Sequence, residues 1–141
     1  MKWNHKYIYP KSTRSIFRGS RHYSVNNENL PSVTTILKAT ESEEKKTKLA
    51  QWREKVGHKQ AEIISREATN RGSSMHDYLE KFLLGKLNMD LLGDNTREKM
   101  MADQIIENGL RDKLSEIWGC EATLYYPGKY AGAADCIGIY E

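Results

Sequence analysis

Asp135, His76 and Glu121 are the residues of this sequence whose types and settings suit metal or acid–base chemistry. Asp135 lies in an extended stretch from Tyr130 to Tyr140. Strand alternation there puts Ala133, Asp135, Ile137 and Ile139 on one side, and Gly132, Ala134, Cys136, Gly138 and Tyr140 on the other. A carboxylate in line with two isoleucines is expected to be buried, and an unpaired buried charge costs on the order of several kcal/mol. Asp135 therefore calls for a metal ion, a cation or several backbone donors. Taken alone, a structural aspartate held by local hydrogen bonds is the commoner arrangement. The small residues Gly132, Ala133 and Ala134 leave room for another backbone, such as a nucleic-acid strand, to approach.

His76 borders a helical apolar stripe of Met75, Leu79, Phe82 and Leu83, and Glu80 lies one turn further on. Glu80 is placed to orient the imidazole or to join it at a metal. Glu121 opens the strand before Asp135. Each has a plainer reading: a half-buried helix histidine satisfied by one hydrogen bond, and a solvated strand-end carboxylate. No phosphate-cradling glycine loop, nucleophile elbow, cysteine pair or zincin motif is present.

The elements that must position these groups follow from periodicity and capping. Glu121–Tyr126, the turn Pro127-Gly128-Lys129 and Tyr130–Tyr140 read as a hairpin. Upstream, Ser32 is the expected N-cap of a short helix with Val33, Ile36 and Leu37 buried. Thr40 and Glu43 form a capping box for a helix from about Glu41 to Val56, with a stripe of Leu49, Trp52 and Val56. A third run, carrying Ala61, Ile64 and Ala68, is expected to end at Gly72, and Ser73 or Ser74 to cap the helix that bears His76. After a loop from Gly85 to Asn95, Asn95 is expected to cap the longest helix, Thr96 to about Trp118. The fold class is α+β (α/β): a helical N-terminal half, one long helix and the opening hairpin of a mixed central sheet.

Length and composition bound the rest. The 141 residues make one domain, and 38% hydrophobic with 29% charged residues is ordinary for a soluble protein. No apolar run is long enough to span a bilayer, and no secretory signal opens the chain. Two cysteines, Cys120 and Cys136, make no disulfide scaffold, so a reducing, cytoplasmic setting is the default. Residues 1–25 hold six basic residues and no acid, whereas the remainder holds sixteen basic and nineteen acidic residues. This basic arm interleaves Trp3, His5, Tyr7, Tyr9, Phe17, His22 and Tyr23, which suits phosphate neutralisation with base stacking. Lys6–Tyr9 and Arg21–Val25 are expected to be its strands, and Asn26–Asn29 a polar turn. The chain thus divides into an arm or hairpin over 1–29 and a body over 30–141.

Several segments, in order, resemble the RecB-like branch of the PD-(D/E)XK nuclease superfamily, closest to the mitochondrial genome maintenance exonuclease group and its phage relatives. They are Leu30–Leu37, Trp52, Gly72–Glu80 with its G-x-x-x-H-x-x-L-E pattern, Glu121 with Tyr125-Tyr126, and Tyr130–Tyr140 with G-x-x-D. The resemblance covers roughly Leu30 to the end. It implies a restriction-endonuclease-like core, Asp135 as the first metal-binding aspartate and His76 as the helix histidine beside the metal, with Glu121 a further ligand. It also implies Mg²⁺ or Mn²⁺ as cofactor, DNA as partner, and strand contacts at Ser32, Thr34, Arg71, Ser73 and Lys129. The implied activity is metal-dependent hydrolysis of DNA phosphodiester bonds, on single-stranded ends, in replication, recombination or repair. The family's next strand carries an acid-x-Lys pair. The chain ends at Glu141 before one appears, so the resemblance implies an N-terminal portion, inactive by itself. Absence of a four-cysteine set argues against cluster-bearing relatives. The rivals are a non-catalytic nucleic-acid-binding module, with Asp135 structural, and an interaction domain.

Overall fold

The turn chemistry at Pro127-Gly128-Lys129 reverses the chain as expected, with Gly128 in the left-handed region at φ 73°. In the computed structural model, which describes residues 1–86 and 96–141, the turn joins β5 (Leu114–Tyr126) to β6 (Tyr130–Tyr140). The two strands pair antiparallel, and β1 (Lys2–Trp3) adds parallel to β5, giving a mixed sheet of order β1-β5-β6. A second, antiparallel sheet is formed by β2 (Ser12–Phe17), β3 (Ser20–Val25) and β4 (Glu28–Pro31). The basic arm is therefore folded, but its hairpin is Ser12–Phe17 with Ser20–Val25. Lys6–Tyr9 is not a strand, and Glu28–Pro31 is strand where a turn and a helix start were expected.

Four helices lie among the described residues: α1 (Val33–Ala39), α2 (Glu43–Val56), α3 (His58–Leu83) and α4 (Arg97–Ile105). Ser32 caps α1 as expected, its Oγ accepting from the Thr35 N–H at 3.0 Å. The expected capping box is replaced. Thr40 ends α1 by donating its hydroxyl to Ile36 O at 3.0 Å, and Ser42 caps α2. Neither stripe is buried as expected: Val33, Ile36, Leu37 and Leu49 are exposed, and α2 has no buried residue. Helix α2 lies against α3, and its cap and exposed ion pairs such as Lys48–Glu44 at 2.8 Å add about 0.2–0.5 kcal/mol per pair.

The larger correction is α3, one continuous helix through Gly72 where a break and a new cap were expected. The ~1 kcal/mol propensity cost of an interior glycine is offset by tertiary packing. Tyr78 packs with Ala102 and Ile106, and Leu83 with Leu114 and Ile117. The expected long helix to Trp118 is also corrected: α4 runs into a π-helical turn at Ile106–Leu110 and residues 114–118 are already strand β5. Register shifts between Leu114 and Glu116 and between Ile117 and Gly119 let Leu114 and Ile117, three apart, both face the core. A bulged strand thus reproduces helical spacing. Thr96 caps α4; the expected cap Asn95 and most of the expected loop lie outside the described residues.

Two links tie the sheets to each other and to α3. Val25, Leu30 and Ala131 form one core between the sheets, with Tyr23 and Tyr125 against it. Trp3 packs on the Leu83–Leu114–Ile117 cluster and donates its Nε1–H to Leu83 O at 2.9 Å. No described helix is long and apolar enough to cross a membrane.

Candidate metal centre

Helix α3 runs past the β5–β6 hairpin, and its packing sets the site. Leu83 anchors the helix on β5 at Leu114 and Ile117. Two turns earlier, His76 faces the other half of the hairpin, where its Nδ1 stands 3.6 Å from Asp135 Oδ1. Glu121 completes the cluster. One ligand atom from each of His76, Glu121 and Asp135 lies within 4.8 Å of the other two. Three residues up to 59 positions apart therefore meet at one point, from α3, β5 and β6.

The expected reason for Asp135 to need a partner is overturned. Its side chain is 67% exposed rather than buried among isoleucines, because it opens into the cleft between α3 and the β2–β3 hairpin. The geometry supplies another reason. Cys120 pairs with Cys136 and Ala122 with Ala134, so by the register of its neighbours Glu121 stands opposite Asp135. Two carboxylates opposed across antiparallel strands repel. The Glu121 carboxyl is pushed above the usual carboxylate range, first by its partial burial, then by the charge of Asp135 and a hydrogen bond shared with it, and then by Glu80; His76 offsets part of this. Glu121 also takes φ 49°, a left-handed conformation uncommon for a side chain of its kind.

The cluster opens into a cleft of about 640 Å³. Its far wall is the β2–β3 hairpin, where Arg14 pairs with Tyr23 and Arg21 lies two residues along, so these three share one face. Gly72, Ser73 and Glu80 line the α3 side. A second groove, about 520 Å³, adjoins the cleft and shares Arg21, Tyr23 and Ala133 with it.

The implied strand contacts are dispersed. Ser73 lines the cleft, and Ser32 and Thr34 line the adjoining groove. Ser32 is buried, its hydroxyl engaged with Thr34, Thr35 and the α1 backbone. Arg71 lines a separate depression with Glu67 and Glu98, and Lys129 sits in the hairpin turn. Arg14 and Arg21 were legible only as part of a basic arm. Their alternation with Tyr23 along two adjacent strands is the signal that singles them out. The other side chain that crowds the hairpin, Cys120, has its thiol pushed up to about 11, chiefly by burial.

The donor set fits a hard divalent cation. Two carboxylates and an imidazole suit Mg²⁺ or Mn²⁺ and leave positions open for water and a phosphate oxygen. In an octahedron around Mg²⁺ adjacent ligand atoms stand about 3.0 Å apart and opposite ones about 4.2 Å, so three atoms within 4.8 Å of one another close on an ion through side-chain rotation of between roughly 1 and 2 Å. Comparison with protein-family models, with curated proteins and with solved structures finds no match to this chain.

Proposed function

We propose that this chain carries the metal-binding residues of a nuclease site, in a restriction-endonuclease-like core of the RecB-like PD-(D/E)XK kind, working in the cytoplasm. It would hydrolyse DNA phosphodiester bonds from single-stranded ends with Mg²⁺ or Mn²⁺. The observation that carries this reading is the meeting of His76, Glu121 and Asp135 from three elements at the mouth of a cleft walled by Arg14 and Arg21. Opposed carboxylates with no cation between them are mutually repelling, and a cation between them converts repulsion into ligation.

In this reading Asp135 and Glu121 hold the ion through oxygen and His76 through nitrogen, with Glu80 adding negative charge beside Glu121. A bound divalent ion would supply Lewis-acid stabilisation of charge on the phosphate and a more acidic water. Arg14 and Arg21 seat the phosphate by charge-assisted hydrogen bonds, which fixes the strand relative to the cluster. Gly72 keeps the α3 wall low beside His76. No lysine lines the cleft among the described residues. That observation favours, as a second reading, a nucleic-acid-binding module without catalysis.

The test is cleavage of a labelled single-stranded oligonucleotide by a polypeptide that carries this domain with an acid-x-Lys strand. Cleavage is expected to require Mn²⁺ or Mg²⁺ and to fall by roughly 100-fold or more in Asp135→Ala. Unchanged cleavage in that variant would remove Asp135 from the site. Tight strand binding without cleavage would support the second reading.

A further inference from the structure

We infer that the tyrosine-lined groove beside the metal cleft is a stacking subsite for an unpaired nucleobase of the strand whose phosphate sits at Arg14 and Arg21. This inference rests on the nucleic-acid reading above and adds to it the element that reads the base rather than the backbone. The groove's volume, about 520 Å³, falls in the range of about 300–1,000 Å³ usual for small-ligand sites. Tyr23, Tyr125, Tyr126 and Tyr130 contribute to its walls, and the small run Gly132–Ala134 keeps its β6 side low.

The four tyrosines divide into two pairs with different work. Tyr23 and Tyr125 pack on the Val25–Leu30–Ala131 core, so they are tied to folding. Tyr126 and Tyr130 belong to no core cluster. Their rings stack on each other at 5.9 Å with planes 25° apart, and they remain 57% and 43% exposed. An exposed aromatic ledge has a free face, and bases of any identity stack on such faces.

Continuity supplies the occupant. Arg21, Tyr23 and Ala133 line both the groove and the cleft, so a nucleotide held by its phosphate at Arg21 has the groove within reach of its base. Among the described residues no acid lines the groove, while the cleft side supplies the two guanidinium groups of Arg14 and Arg21 on the wall opposite the carboxylates Asp77, Glu80, Glu121 and Asp135. The combination of aromatic faces with adjacent positive charge matches a strand of alternating base and phosphate.

The experiment is fluorescence anisotropy with a labelled thymidylate dodecamer and with an abasic sugar–phosphate dodecamer, both in Ca²⁺ at low salt. The dodecamer with bases is expected to bind at least about tenfold more tightly, the lower part of the range for base–aromatic stacking. In Tyr126→Ala/Tyr130→Ala the preference is expected to fall to twofold or less, and in Tyr126→Phe/Tyr130→Phe to persist, with Mn²⁺ binding unchanged in both. Equal binding of the two oligomers by the wild-type chain, with Mn²⁺ bound normally, would overturn the stacking subsite and leave the metal site standing. Retention of the preference in the alanine variant would also overturn it. Failure of both oligomers to bind would overturn the nucleic-acid reading and this inference with it.

Discussion

Glu121 and Asp135 owe their character to each other. Opposed like charges cost ~0.2–1 kcal/mol, and a left-handed φ on a non-glycine residue such as Glu121 costs ~1–3 kcal/mol. The folded chain carries both where a cation would repay them. The Glu121 carboxyl is held above its ordinary range, so between the unfolded and folded values the folded chain binds more protons. The contribution is present below the unfolded value and is lost as pH rises through the folded one. Glu121→Gln removes the opposition, and the midpoint of thermal unfolding without metal is expected to rise by about 1–4 °C at neutral pH. The gain should vanish near pH ~4, where the wild-type carboxyl is itself protonated. A lower midpoint at neutral pH would show that Glu121 makes a stabilising contact instead. The residue types and neighbouring hydropathy of Asp135 and His76 made them legible as candidates, but the isoleucines in line with Asp135 do not bury it. Asp135 is exposed, and its real neighbour is set by the register of β5 on β6, which depends on bulges that residue types do not display.

At the scale of elements, the hairpin turn was readable because Pro127-Gly128 constrains the backbone locally, and Ser32 as a cap for the same reason. The boundaries that failed depend on distant packing. Helix α3 passes through Gly72 because its second half is pinned at Tyr78 and Leu83. Strand β5 begins at Leu114 because its bulges turn two apolar residues three apart onto one face. A methyl group at position 72 meets no neighbouring atom, and φ there is not in the left-handed region. Gly72→Ala is therefore expected to stabilise the chain by about 0.5–1 kcal/mol, seen as a midpoint rise of about 2–5 °C. A fall would mean that α3 is not continuous there. Gly138 is the opposite case. A Cβ at that position runs into the carbonyl oxygen of Glu116 across the bulge, so Gly138→Ala is expected to lower the midpoint, and an unchanged midpoint would place the bulge elsewhere.

Across the whole molecule, the basic arm is part of the body. Trp3 seals the cluster under α3, the Tyr9 hydroxyl donates to Trp118 O at 3.1 Å, and Ser12 Oγ stands 2.7 Å from Thr123 Oγ1. Its charge asymmetry was plain in the sequence, but its attachment was not, since each of these contacts spans about a hundred residues. Deleting residues 1–25 would strip the core. Single substitutions test the electrostatic role instead: Arg14→Ala and Arg21→Ala are each expected to flatten the log–log salt dependence of single-strand affinity by about 1. An unaltered slope would show that neither guanidinium meets a phosphate. The total accessible surface, 10610 Å², exceeds the roughly 7,500 Å² of a compact monomer of this mass, and the exposed apolar residues Val33, Ile36, Leu37 and Leu49 of α1 and α2 contribute to the excess. The proposed chemistry depends on a cation shared by α3, β5 and β6. Its most direct test is titration with Mn²⁺ at neutral pH, followed by loss of the free-ion paramagnetic resonance signal, in the wild-type chain, His76→Ala and Asp135→Asn. A single Mn²⁺ site weakened at least about tenfold in each variant is the predicted result, and equal affinity in all three chains, or none in the wild type, would contradict it.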